Sequence, residues 1–204
     1  MELTGIYEAE RRRIAALAGT VEGDLTRPVF GCGAEGARLM FIGEAPGATE
    51  AEQGRPFVGK AGKQLDGLLA AAGIERDAVF VTNAVKYRPT KNGGRANRTP
   101  STAEIKAALP SLAAELAAAA PRVTATLGNT PLRAMYLMAG ARPRTVGEVH
   151  GRPLTLTIGG KEYTVFPLYH PAGCIYNREL VDILGEDMIK LGRLMTSAER
   201  RNSI

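Results

Sequence analysis

Apolar residues fall into two kinds of pattern along this chain. Short, nearly unbroken runs occur at Arg38 to Ile42, Ala78 to Thr82, Arg122 to Leu127 and Tyr163 to Tyr169. Runs of that length, bounded by polar, Gly or Pro residues, predict buried strands. Between them apolar residues return every three or four positions, the signature of amphipathic helices. Leu3, Ile6, Ile14 and Leu17 lie loosely on one side of a helix over residues 3–18. Val58, Ala61, Leu65, Leu68, Leu69 and Ala72 mark a second, closed by Gly73. Ser101 and Glu104 form a capping-box signal for a third, with Ile105, Ala108, Leu109, Leu112 and Leu116 as its buried stripe and Pro121 as its stop. A short helix over 131–138 and a long one over 178–195 follow. Thr145 to Thr157 alternates weakly and then meets Gly159-Gly160, a hairpin signal. Residues 20–36 and 86–98 read as loops, and 197–204 as a disordered tail.

Strands alternating with helices predict an α/β fold. The expected architecture is a three-layer α/β/α sandwich with a central, mainly parallel four-stranded sheet, in a single domain over residues 1–204. Parallel strands end on one edge of their sheet, and ligands bind outside that edge. Polar residues stand at each predicted strand end: Glu44, Asn83, Gly128-Asn129 and His170. Glu44 sits in Gly43-Glu-Ala-Pro-Gly47, where a strand, a carboxylate and a tight turn follow one another. A second Gly/Pro-rich piece, Gly54-Arg-Pro-Phe-Val-Gly-Lys-Ala-Gly62, leads into the next helix.

A carboxylate, an amide and an imidazole would therefore face one crevice. An Asn amide donates to a carbonyl oxygen and accepts from a ring N–H, which matches the O4/N3 edge of uracil; cytosine reverses the pattern at position 4. An aromatic such as Phe57 stacks on a base. An imidazole donates to a developing anion, and a carboxylate orients water or stabilises a cationic sugar.

Composition narrows the partner. The chain has 204 residues, 45% of them hydrophobic, with net charge +5 and a pI near 9.4. A basic protein favours acidic partners such as nucleic acid. Lys86, Arg88, Lys91, Arg95 and Arg98 cluster in the 86–98 loop and suit diffuse attraction to phosphates. Two cysteines and two histidines, without paired spacing, cannot assemble a metal quartet unaided. Their scarcity fits a reducing compartment, and no leader or membrane-length apolar run is visible; a cytoplasmic location is expected.

Four pieces carry a family resemblance: Gly43 to Gly47 with Gly54 to Gly62, Val81-Thr-Asn-Ala-Val-Lys-Tyr-Arg-Pro89, Asn97-Arg-Thr-Pro100, and Tyr169-His-Pro-Ala172. In order and spacing they resemble the uracil-DNA glycosylase superfamily, most closely its family 4 type, over residues 29 to 178. The resemblance implies a monomeric DNA glycosylase. It would flip uracil out of DNA, hydrolyse the N-glycosidic bond and release uracil, initiating base excision repair. Carried over by position, Glu44 and His170 are catalytic: Glu44 handles water and sugar, and His170 donates to uracil O2. Phe57 stacks on the base, Asn83 reads its polar edge and Glu50 lines the pocket. Asn97 matches a further polar position, with Asn92 competing because Lys91 to Ala96 looks inserted. Lys86, Arg88, Arg98 and Arg178 are the expected DNA contacts.

The sequence departs from the family in one respect. Family 4 enzymes carry four cysteines that hold an iron-sulfur cluster, including a C-x-x-C pair before the first strand. No such pair precedes Gly31, and Tyr87 and Ala108 occupy the third and fourth positions. No cofactor is therefore expected. Alternatives that remain open are excision of another deaminated base (hypoxanthine or xanthine), a nucleic-acid-binding relative with little activity, and an unrelated small-molecule α/β enzyme.

Overall fold

The third predicted helix shows how local chemistry sets an element's boundaries. Ser101 Oγ accepts the Glu104 N–H at 3.2 Å, and Glu104 Oε2 accepts the Ser101 N–H at 2.8 Å. Two N–H groups that a helix start leaves orphaned are thereby satisfied. The helix ends with Ala120 in the left-handed region, one residue before Pro121.

The computed structural model describes residues 2–174 and 177–200. In chain order the elements are α1 (Leu3–Ala15), β1 (Gly23–Asp24), β2 (Cys32–Gly33), β3 (Leu39–Gly43), α2 (Ala48–Gln53), α3 (Lys60–Ala71), β4 (Phe80–Asn83), β5 (Arg88–Lys91), β6 (Ala96–Asn97), α4 (Thr102–Ala119), β7 (Val123–Leu127), α5 (Asn129–Met138), α6 (Val146–Val149), β8 (Leu154–Ile158), β9 (Lys161–Leu168), α7 (Pro171–Cys174) and α8 (Arg178–Arg200). The main sheet has the order β2-β4-β3-β7-β9-β8. Strands β4, β3, β7 and β9 are parallel, and β2 and β8 pair antiparallel at the edges.

Both faces of the parallel strands are covered, as their continuous apolar character requires. Met40 and Ile42 of β3 pack in one cluster with Ile14 of α1, Leu112 and Leu116 of α4, and Leu132 and Met135 of α5. Leu39 and Phe41 point the other way, into a cluster with Leu65 and Leu69 of α3 and Leu184, Met188 and Leu191 of α8. This is the expected three-layer α/β/α sandwich.

Three expectations change in detail. The four predicted strands form the parallel core of a sheet with six strands, because two edge strands were not counted. β8 is the partner signalled by Gly159-Gly160, whereas β2 is two residues long and shows no readable period. The 86–98 segment is not a plain loop: β5 and β6 form an antiparallel hairpin that also pairs with β1. Helix α8 continues through residues 197–200, where disorder was expected, and residues 201–204 lie outside the described residues.

Candidate active site

The carboxyl edge of the parallel strands carries a cavity of about 420 Å³, within the usual range for small-ligand sites. Glu44, Phe57, Asn83, Asn97, Arg98 and His170 all line it. A neighbouring cavity of about 580 Å³ shares Glu44 and His170 and reaches Thr130 and Tyr169.

Glu44 follows the last residue of β3. The register puts Gly43 opposite Asn83, and the pairing continues past the strand ends. Ala84 N–H donates to Gly43 O at 2.8 Å, and Val85 N–H to Glu44 O at 3.1 Å. These bonds hold the carboxylate's backbone and the amide's backbone in one frame. The Glu44 side chain is set separately: Thr130 Oγ1, at the start of α5, donates to Oε2 at 2.5 Å. No other hydrogen bond to this carboxylate occurs among the described residues.

Asn83 and Phe57 meet across Gly43. A Cβ built on Gly43 would lie 2.5 Å from both Asn83 Oδ1 and Phe57 Cζ, so only glycine lets the two side chains close over the strand end. Phe57 itself has φ of 57°, unusual for an aromatic residue. Its carbonyl would sit 1.8 Å from a Cβ at Gly62, so α3 packs directly on this strained turn.

His170 follows β9. Its Nδ1 accepts the Ala172 N–H at 3.1 Å, which places the ring's proton on Nε2. Burial lowers the imidazole's pKa below the ordinary 6.5, with nearby Glu44 acting in the opposite direction. A neutral ring with Nε2–H as donor results. Protonating Nδ1 would also break the bond from Ala172.

The remaining expected residues separate. Glu50 lines the cavity, but its oxygens are engaged: Oε1 accepts the Gly59 N–H at 2.7 Å and Oε2 the Gly47 N–H at 3.2 Å. It ties the two Gly/Pro-rich pieces together. Of the competing asparagines, Asn97 lines the cavity, while Asn92 lies exposed at the hairpin turn with φ of 59°. Arg88 Nε donates to Asn97 Oδ1 at 2.6 Å. Arg98 lines the cavity, yet its guanidinium pairs with Glu104 at 2.6 Å and bonds the carbonyls of Glu22, Thr90 and Thr99. Arg178 is exposed at the start of α8, and Lys91 and Arg95 are exposed on the hairpin. Lys86 is a correction: its side chain is only 1% exposed and paired with Glu115, so it cannot contact DNA. The basic loop around it reads as solvated, whereas Glu115 comes from a helix 29 positions on. Thr130 is missed for the same reason, since it is 86 positions from Glu44 and no local pattern links them.

The residues present do not fit an iron-sulfur cluster. Such a cluster takes about four thiolates, and the chain has two cysteines, Cys32 and Cys174. At the matching positions, Ala108 is buried in the apolar core and the Tyr87 hydroxyl donates to Glu104 Oε1 at 2.6 Å. Arg98 bonds the same carboxylate through both terminal nitrogens, at 2.6 and 2.8 Å. Burial alone would raise the Glu104 carboxyl, but the bonds from Arg98, Tyr87 and Ser101 outweigh it and hold the pKa at about 2.

Residues 30–190 match the Uracil DNA glycosylase superfamily. The chain is 39% identical over 176 residues to a Type-4 uracil-DNA glycosylase of Sulfurisphaera tokodaii, covering 86% of this chain and 78% of that protein. It is 35% identical over 169 residues to the Type-4 uracil-DNA glycosylase of Archaeoglobus fulgidus, covering 83% and 82%. A Type-4 uracil-DNA glycosylase of Thermotoga maritima is 38% identical over 167 residues, 81% of each chain.

Proposed function

We propose, from the premise that the chain belongs to the uracil-DNA glycosylase superfamily, that it hydrolyses the N-glycosidic bond of uracil in DNA without an iron-sulfur cluster. The observation that carries this reading is the convergence of Glu44, Phe57, Asn83 and His170 on one cavity of base-binding size.

The base leaves the stack and enters the cavity, at a cost of a few kcal/mol that uracil's weak pairing reduces. Phe57 stacks on its face. The Asn83 carboxamide donates to O4 and accepts from N3–H. A cytosine in the same place would leave a buried donor facing a donor, which costs about 1–3 kcal/mol. As the bond from N1 to the sugar breaks, the electron pair moves into the uracil ring and negative charge gathers on O2. His170 Nε2–H donates to that oxygen, a neutral donor meeting charge that is absent from the bound substrate and develops as the bond breaks. The sugar left behind is cationic at C1′. Glu44 stabilises it and orients the water that adds to C1′; the proton this water loses passes through the carboxylate to solvent, and the departing uracil anion takes one up to leave as neutral uracil. Thr130 keeps the carboxylate turned toward that side. The DNA on either side of the flipped nucleotide lies over the neighbouring cavity and the exposed basic residues Lys91, Arg95 and Arg178. The reading includes a monomer acting in the cytoplasm.

The test is alkali-induced strand cleavage of a labelled, uracil-containing single-stranded oligonucleotide by the wild-type protein and Glu44→Ala, with iron and sulfide assayed on the same preparation. Cleavage by iron-free wild-type protein, lost in the variant, is expected. DNA binding without cleavage would overturn the reading in favour of another lesion base or a binding protein.

A further inference from the structure

The most fully buried charge pair described lies next to the base reader, outside the cavity. The side chains of Lys86 and Glu115 are 1% and 0% exposed, with Nζ 2.5 Å from Oε2. A buried ion pair is a weak source of stability, because desolvation offsets most of the attraction. It does fix geometry when each donor and acceptor has a definite partner. All three ammonium protons of Lys86 have one: Glu115 Oε2, Thr82 Oγ1 at 2.5 Å and the backbone carbonyl of Asn83 at 2.7 Å. Glu115 is completed by Thr82 Oγ1 at 2.9 Å and by the Tyr7 hydroxyl, which donates to Oε1 at 2.7 Å from α1.

The third bond of Lys86 is the informative one. Asn83 ends β4 and is 3% exposed, so its carbonyl needs a partner from within the protein. An unpaired buried carbonyl is costly. The chain turns here, and the lysine three residues on folds back to supply the missing donor. The next two N–H groups, of Ala84 and Val85, bond the carbonyls of Gly43 and Glu44. The peptide that carries the Asn83 side chain is thus held on one side by the end of β3 and on the other by the ammonium.

We propose that Lys86 is a positioning residue for base recognition, acting through the Asn83 backbone with Glu115 as its counter-charge. The proposal rests on the reading of Asn83 as the uracil reader. Its result is a carboxamide whose donor and acceptor stay in register with the O4/N3 edge before the base arrives, so little ordering remains to be done on binding.

The test uses Lys86→Met combined with Glu115→Gln, which removes both charges and the donor while keeping the shapes. Lys86→Met with Glu115→Leu is a second version should the first unfold. Hydrogen exchange across residues 83–87 is measured without ligand, beside inhibition by free uracil, turnover, and affinity for undamaged DNA. Loss of one charge-assisted bond predicts exchange about 10-fold faster at 83–87 and inhibition by uracil weakened about 10-fold or more. Turnover falls with it, while undamaged-DNA affinity stays within about 2-fold, since no phosphate contact is lost. Unchanged exchange in a folded variant overturns the clamp. Faster exchange with wild-type uracil inhibition overturns its role in recognition. A wild-type protein that neither excises nor binds uracil refutes the functional reading instead, and the exchange result still decides the clamp.

Discussion

Glu44 and Asn83 end adjacent parallel strands, and their backbones share one hydrogen-bonded frame. Their surroundings nevertheless differ. Asn83 sits over a buried charge network that reaches α1 and α4, with Gly43 leaving room for it against Phe57. Glu44 is held by one hydroxyl, from Thr130. The difference suits the two tasks proposed for these residues. Reading a base requires a donor and an acceptor at fixed places, because an error of an ångström forfeits the bond. Guiding water onto a cation that exists only briefly requires a carboxylate with an oxygen still available, steered but not saturated.

The contrast can be broken at its rigid end first. Asn83→Asp places a carboxylate against O4 and should reduce uracil excision by about 10³-fold or more in single-turnover assays, as sites built for one hydrogen-bond pattern reject its reverse. Excision at the wild-type rate would remove Asn83 as the reader. His170→Ala comes next. Loss of one donor to the developing anion is expected to lower turnover about 10²-fold or more with little change in DNA affinity. Loss of DNA affinity with turnover unchanged would mean that His170 contributes to binding alone. Because burial lowers the His170 pKa, the neutral donor persists below its ordinary value of 6.5, and the acid limb of wild-type turnover should fall under that pH.

The loose end gives smaller effects. Thr130→Val keeps the shape and removes only the donor to Glu44, so turnover should drop roughly 10-fold, the order of one hydrogen bond to a charged group. Thr130→Ser should restore it. A Val variant with full turnover would show that the carboxylate is steered by its backbone. The smallest effect belongs to the outer support of the rigid side, where Glu104 joins Arg98 and Tyr87. Its folded pKa, about 2, is depressed from 4.5, so its stabilising contribution is present above pH 4.5 and is lost as pH falls toward 2. Thermal midpoints should therefore fall a few degrees further for the wild type than for Glu104→Gln over that window, about the shift expected of 1 kcal/mol in a chain of this size. Parallel midpoints would assign the pair no net role.

The parts of this molecule that short-range pattern encodes were legible. Unbroken apolar runs marked the parallel strands, and the polar residues just after them marked the candidate site, because parallel strands end on one edge. The capping box at Ser101 was equally local. Edge strand β2 was not legible, since two residues carry no period, and neither was the β5–β6 hairpin, whose residues are mostly polar. Lys86 is the sharpest case. Among arginines and lysines in a polar stretch it has the look of a phosphate contact, and only the fold brings Glu115 of α4 opposite it.

Periodicity along the chain thus settled the layers and the parallel core, because each element depends on neighbours within a few residues; the shared strand edge and the family resemblance together grouped Glu44, Phe57, Asn83 and His170. The tertiary structure alone decided that Thr130 steers Glu44, that Asn97 and not Asn92 faces the cavity, and that Lys86 turns inward to hold Asn83. Those outcomes are contacts between distant segments. The free energy of such a contact depends on burial and on which partner the packed layers bring within about 3 Å, the reach of a hydrogen bond.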